Sequence, residues 1–270
     1  MDDLRNGLHM WRRLVGARIR GQLQYRLSFV LNTLGSFALT FIDFVVVLAL
    51  FSHFPQMEGW TLQEIALLYG LSGVGIAVAD LFAGHVGDVH LLIRSGQFDV
   101  VLLRPVGTLL QMIASDFALR RLGRITQAAV VLVYALVAAD ISWNAGRILL
   151  LPLAIAGAVV IFGATFVLGG CLTFWTVGSS EVANAFTYGG NYMTGYPLNI
   201  FGVWLRRLFA FVIPLAFVTY FPGLYLLDKP DPLGFPDFFQ FLAPFAAIAF
   251  AVVAGLMWRV AVRHYRSTGS

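Results

Sequence analysis

The chain has 270 residues, of which 59% are apolar and only 12% charged, with a mean hydropathy of +0.80. A soluble domain carries roughly 45–50% apolar and about 25% charged residues, so these values exclude an ordinary soluble protein and predict an integral membrane protein. The net charge of +4 rests almost wholly on arginine, which suits anionic lipid headgroups and speaks against nucleic acid as a partner.

Residues 4–23 set Leu4, Leu8, Trp11, Val15, Ile19 and Leu23 at spacings of three or four, with arginines between them. This predicts an amphipathic helix over residues 1–27 that lies in the membrane interface, anchored by Trp11, Arg12 and Arg13. The alternative is a basic tail that only orients the chain. No short apolar segment with a small-residue cleavage site follows Met1, so the N-terminus is expected to be mature.

Six apolar runs follow, near Phe29–Phe51, Leu62–Phe82, Leu122–Ala139, Ile148–Val177, Leu208–Leu227 and Phe238–Trp258. Each is close to the roughly 20 residues that cross the hydrocarbon as a helix, so an all-α protein with six spans is expected, forming a single transmembrane domain over residues 1–270. Sixteen arginines fall before the first span, between the second and third, before the fifth and after the sixth, against Arg147 and Lys229 on the other side. The positive-inside rule then puts both termini and residues 84–121 in the cytoplasm. Pro214 and Pro244 predict kinks.

Asp43 is the clearest charge inside a span. Such a residue costs about 2.5–3.5 kcal/mol at a span centre and should face the bundle interior or water. It reads either as a substrate or proton contact, with Asn32 and Thr40 along the same path, or as a helix contact hydrogen-bonded to Asn32, Thr40 or another span. Asp80 and Glu181, near cytoplasmic span ends, suit helix capping or arginine pairing. Residues 178–207 are too polar for a clean crossing. They are expected as interfacial helical pieces broken at Gly189–Gly190 and at Pro197, with Trp204, Arg206 and Arg207 anchoring at the cytoplasmic interface, or as an ordinary interfacial loop.

Catalytic readings find little support. Gly70-Leu71-Ser72-Gly73 matches the GxSG of rhomboid proteases, but a nucleophilic serine needs a base in reach, and His9, His53, His85, His90 and His264 all lie away from span centres. His85, Asp88 and His90 span too little chain to close a metal site by themselves, so no metal is expected. The lone Cys171 sits in an apolar run and reads as packing. A nucleotide motor needs GxxxxGK[ST], and the only lysine is Lys229 in the DKPDP loop.

Between the second and third spans, Val86, Val89, His90 and Ile93 fall on one helical face, Ser95-Gly96 is a helix stop, and Val100–Leu103 reads as an extended apolar strip. The basic interfacial helix leading into YRLSFVLNTLGS, the RSGQFDVVLLRPV segment and the YPLNIFGVWLRRLFAFVIPLAFVTYFP run together resemble permease subunits of ABC exporters. The resemblance covers nearly the whole chain and is closest to a prokaryotic, paired-permease branch of the ABC-2 type permeases. It implies a multi-pass protein of the prokaryotic inner or plasma membrane that exports a lipid, glycan, drug or peptide-like substrate. The permease works as a dimer of like or unlike chains, with two ATPase subunits beneath that hold the ATP and Mg. It makes residues 84–121 the coupling loop, contacting the ATPase through Val86, Val89, His90, Ile93, Arg94, Phe98, Asp99 and Arg104. The alternative is a proton-coupled secondary transporter using Asp43, which internal hydropathy repeats would favour.

Overall fold

Lipid offers backbone N–H and C=O groups no partner, so a chain this apolar satisfies them along its own axis as helix. The computed structural model describes residues 16, 20–21, 24–115, 118–176 and 179–266, and among these no β-strand forms. The expected interfacial helix, with Trp11, Arg12 and Arg13, lies outside the described residues.

The long helices are α1 (Arg26–His53), α2 (Leu62–Ala83), α6 (Leu122–Ala138), α7 (Ala145–Leu172), α8 (Ser179–Thr194) and α11 (Ala243–Arg263). Short helices α3 (Val89–Arg94), α4 (Phe98–Leu102) and α5 (Thr108–Ser115) fill the α2–α6 connection, and α9 (Val203–Arg207) and α10 (Tyr220–Leu227) fill the α8–α11 connection. Among the described residues, four helices are long and apolar enough to cross a membrane: α1, α2 with its extension to Arg94, α7 and α11. The 17-residue α6 is shorter, and residues 203–227 form a pair bent by 77° rather than one straight crossing.

That bend corrects the expected span over Leu208–Leu227. Pro214 interrupts it, with the helix widening to a π turn over Leu208–Val212 before the break and resuming as a 3-10 turn over Leu215–Phe217. Pro244 does not kink α11. It sits in the helix's first turn, where its missing N–H would have had no partner in any case.

The hub is α2. In its most apolar stretch 78% of residues are buried, against 17% for α1, which lies at the edge. Small residues bring its neighbours to backbone distance. A Cβ on Gly70 would stand 2.7 Å from the Leu132 backbone of α6, and one on Gly75 would stand 2.6 Å from Ala158 of α7. Dispersion between close backbones replaces the hydrophobic drive that lipid removes. From this hub α7 reaches α8 and α11, and α6 reaches α1.

Two ends of the bundle follow. At one, the α1–α2 turn carries Gly59 at φ +81°, and α2 starts from a capping box in which Glu64 accepts the Thr61 N–H at 2.8 Å. Lys229 bonds Glu64 there at 2.8 Å, and Arg147 pairs with Asp228 at 3.0 Å. At the other end, the Phe98 ring packs on Phe174 and Tyr265, and Trp258 donates to Thr108 at 3.0 Å.

The 195–242 segment stays at the first end: the Tyr220 ring lies 6.3 Å from Trp60, and Phe211 lies 6.1 Å from Phe235. Trp204, Arg206 and Arg207, expected as anchors at the cytoplasmic interface, belong to this segment on α9. The Asn199 and Phe201 carbonyls accept two of the Arg206 N–H groups.

The close approaches make a prediction. Gly70→Ala must push α2 off the Leu132 backbone and should lower stability by about 1–3 kcal/mol. Gly163→Ala, with nothing within 4 Å of the added Cβ, should leave the thermal unfolding midpoint in detergent unchanged. Equal midpoints for the two variants would refute close backbone packing at the hub.

Candidate functional site: a polar cavity row

Asp80, in the last turn of α2, is 2% exposed. Its Oδ2 forms an ion pair with Arg121 Nε at 3.2 Å and accepts a hydrogen bond from Arg124 Nη1 at 3.2 Å. Its Oδ1 accepts the Tyr188 hydroxyl at 3.2 Å, and its main-chain carbonyl accepts a second Arg121 N–H at 2.6 Å. Gly84 makes the approach possible, since a Cβ there would collide with the Asp80 carboxylate. The Arg124 guanidinium also lies over the Tyr188 ring, 5.5 Å from its centroid. Of the two roles expected for Asp80, the structure shows arginine pairing.

This cluster stands where three cavities meet. A space of about 370 Å³ lies on the α3 side, between His90, Asp88, Asn184, Thr187, Tyr188 and Arg121. A cleft of about 510 Å³ joins Asp80, Arg121, Arg124 and Tyr188 to Asp43, Thr40 and Ser36 of α1. A third cavity, of about 480 Å³, runs on from Asp43, Thr40, Arg124 and Tyr188 to Tyr69, Gln127, Asn191 and Tyr196 at mid-bundle. Each volume is within the range of small-molecule sites. Shared lining residues set the three side by side, as a polar row along α1, α2, α6 and α8.

Asp43 thus faces the cavity, where its Oδ2 accepts the Tyr192 hydroxyl at 3.4 Å. Thr40 lines the same space, with its hydroxyl bonded to the Ser36 carbonyl at 2.9 Å. Asn32 is exposed two turns away and lines none of the three cavities. Ser72 of the GxSG match bonds the Asn191 side chain at 2.9 Å and the Thr194 hydroxyl; neither is a base, and the contact serves to tie α2 to α8.

The residues expected at a partner surface separate into two groups. Val86, Val89 and Phe98 are wholly buried in this chain's own core, and Ile93 packs against it. The apolar face read as a partner contact is covered instead by α7 and α8: a Cβ on Gly170 would stand 2.6 Å from the Val86 carbonyl. His90 bonds the Gly87 carbonyl at 3.2 Å and lines the α3-side cavity. Arg94 and Asp99 lie on α3 and α4, and Arg104 is exposed. The open apolar side chains are Leu91, Val100, Leu102 and Leu103, the last 84% exposed. Residues 98–102 are helical rather than extended.

Sequence reasoning put residues 178–207 at the interface and missed most of the cavity's wall. Gly189–Gly190 does not break α8, which runs unbroken to Thr194 and ends before Pro197. Gly190 instead lets Leu215 approach, its Cβ position lying 2.7 Å from that side chain. The overlooked signal was the spacing of Asn184, Tyr188, Asn191 and Tyr192, a polar stripe at helical period.

Asp80→Asn would leave two cations, one mostly shielded and one partly solvated, facing a buried neutral amide. It should destabilise the protein by up to about 3 kcal/mol, the low end for breaking a buried pair because Arg124 is partly solvated. Adding Arg121→Gln to that variant should recover part of the loss in thermal unfolding. Additive losses would show that the pair is not coupled.

No curated protein and no solved structure matches the chain. The family described as ABC-2 family transporter protein does match, over residues 37–269. That match takes in α2, α6, α8 and the part of α1 that carries Thr40 and Asp43, and with it the chain belongs to the ABC-2 transporter family, as a membrane-embedded permease component of an ABC transporter.

Proposed function

We propose that this permease carries a lipid, glycan, drug or peptide-like substrate outward along the cavity row, driven by a separate ATPase. Two ATPase copies, holding ATP and Mg, act beneath two permease chains, like or unlike. The observation that carries the reading is the row of three adjoining cavities, from the α3 side to mid-bundle, with the Asp80 cluster standing between the first and the others. Polar and charged groups inside an apolar bundle are costly to place, and a row of them facing open space marks a path for a polar group.

On this reading the chain crosses the membrane six times, with α8 rather than residues 208–227 as the fifth crossing. In support, Tyr188 of α8 meets Asp80 at one end, while Thr194 meets Ser72 at mid-bundle and its carbonyl accepts the Thr219 hydroxyl at 2.7 Å. The bent 203–227 pair is then re-entrant on the outer side. With Arg206 and Arg207 moved outside, fourteen of the eighteen cationic residues still fall on the cytoplasmic side. The membrane is the prokaryotic inner or plasma membrane, and both termini are cytoplasmic.

The ATPase docks on the open cytoplasmic face, through Leu91, Val100, Leu102 and Leu103 with Arg94 and Arg104 at its edge. Closure of the two ATPases pushes α3 and α4, and through Val86 and Val89 the thrust reaches α7 and α2. The Asp80 cluster then parts, joining the cytoplasmic space to the mid-bundle cavity.

Two outcomes test this. In a Cys171→Ser background, Arg207→Cys should be labelled by an impermeant maleimide in intact cells, and Leu103→Cys only after permeabilisation; the reverse pattern overturns the topology. Leu103→Asp should abolish copurification of the ATPase, and stimulation of its hydrolysis, while the permease keeps its unfolding midpoint. Transport that needs no ATPase and follows a pH gradient would instead favour a proton-coupled carrier using Asp43.

A further inference from the structure

The mid-bundle cavity carries two opposite charges that its own walls do not neutralise against each other. Asp43 has no ion-pair partner among the described residues and holds one long hydrogen bond, from Tyr192. Tyr69, Tyr192 and Tyr196 line the same cavity as Asp43. A carboxylate in a cavity walled partly by tyrosines suits an ammonium group, through charge and through contact with aromatic rings. Across the cavity, Arg124 shares the single Asp80 carboxylate with Arg121 and gives it one N–H. Its remaining donors are available to a second anion. Tyr192 is in electrostatic reach of both Asp43 and Arg124, so the two poles belong to one space.

Two further observations point to a ligand. Gln127 lines this cavity at 3% exposure, its amide within hydrogen-bonding reach of the Tyr69 hydroxyl, which itself donates to the Thr40 carbonyl at 3.2 Å. The two put polar groups on the cavity wall that a ligand head can meet. The cavity's rim on the α1 side is formed by Val46, 61% exposed, and the adjoining cleft is rimmed by Leu39, 69% exposed. An apolar rim beside a dipolar interior suits a molecule whose head enters while its tail stays in lipid.

We infer that the cavity binds an amphiphile with a zwitterionic head. Its ammonium lies against Asp43 and the three tyrosines, its phosphate or carboxylate against Arg124 and the Gln127 amide, and its alkyl tail passes between α1 and α8. The inference rests on the transport reading above and names the substrate class of the same cavity.

The test uses the full-length permease in phosphatidylglycerol nanodiscs, which supply no zwitterion. The probes are an alkyl phosphoethanolamine, the alkyl phosphate and the alkylamine of the same chain length, and free phosphoethanolamine. The alkyl phosphoethanolamine should bind at least about ten-fold more tightly than either single-pole probe. Asp43→Asn should lower it to the level of the alkyl phosphate without weakening the alkyl phosphate itself. Arg124→Gln should lower it to the level of the alkylamine, and Arg124→Lys should restore part of the difference. An alkylamine or alkyl phosphate that binds as well as the zwitterion overturns the two-pole site, as does an unchanged Asp43→Asn. Free phosphoethanolamine binding as tightly as the tailed probe overturns the amphiphile and assigns the site to a soluble zwitterion. Binding that holds while ATPase stimulation is absent refutes the coupling alone, and stimulation without binding refutes the ligand alone.

Discussion

Asp80 shares one carboxylate between Arg121 and Arg124 and takes the Tyr188 hydroxyl besides, so α2, α6 and α8 meet at a charge that only their joint presence satisfies. Apolar packing in lipid is strong but poorly directional, because a leucine face slides on its neighbour at little cost. A buried ion cluster is the reverse, contributing modestly to net stability while fixing which residues stand opposite one another. Two further polar points continue the registration along α8: Ser72 with Asn191 and Thr194, and the Thr194 carbonyl with Thr219. The cavity row exists because α8 is held by these points on its polar side and leaves open space between them.

The membrane class, the all-helical fold and the ends of α1, α2 and α6 were legible in the sequence to within a few residues, because long apolar runs have few other uses. What could not be read was the division of labour after α7. Hydropathy favoured residues 208–227 as a span and dismissed residues 179–194 as interfacial. In the fold the apolar segment is bent at Pro214 and folds near Trp60, while the polar one is a continuous helix that packs beside the hub. Apolarity reports what a segment can touch, not what its neighbours hide. The same limit explains Val86, Val89 and Phe98, whose apolar face was real but whose partner is this chain's own core.

Within the site, Asp43 stood out because a lone carboxylate in an apolar run is costly, and the same logic marks it in the fold as a cavity residue. Arg121 and Arg124 were counted only as topology signals. Their second use, as partners of Asp80, depends on the close approach at Gly84, which leaves no trace in hydropathy. Family membership fixes the kind of machine; the arrangement of Asp43, Arg124 and the tyrosines gives this chain's cavity its pattern of charge.

The composition of α8 has a consequence for how the protein is made. A segment reading SSEVANAFTYGGNYMT has too little apolar surface to partition into lipid as an independent helix during synthesis. On the six-crossing reading it has to enter as one arm of a hairpin with α7, its polar stripe sheltered at once by α2. The Gly169–Ala183 contact, where the α7 and α8 backbones come close near their shared turn, is where such a hairpin would first zip. Assembly of this permease is then ordered in time, with the conduit's wall the last part of the bundle able to exist by itself and dependent on helices already in place.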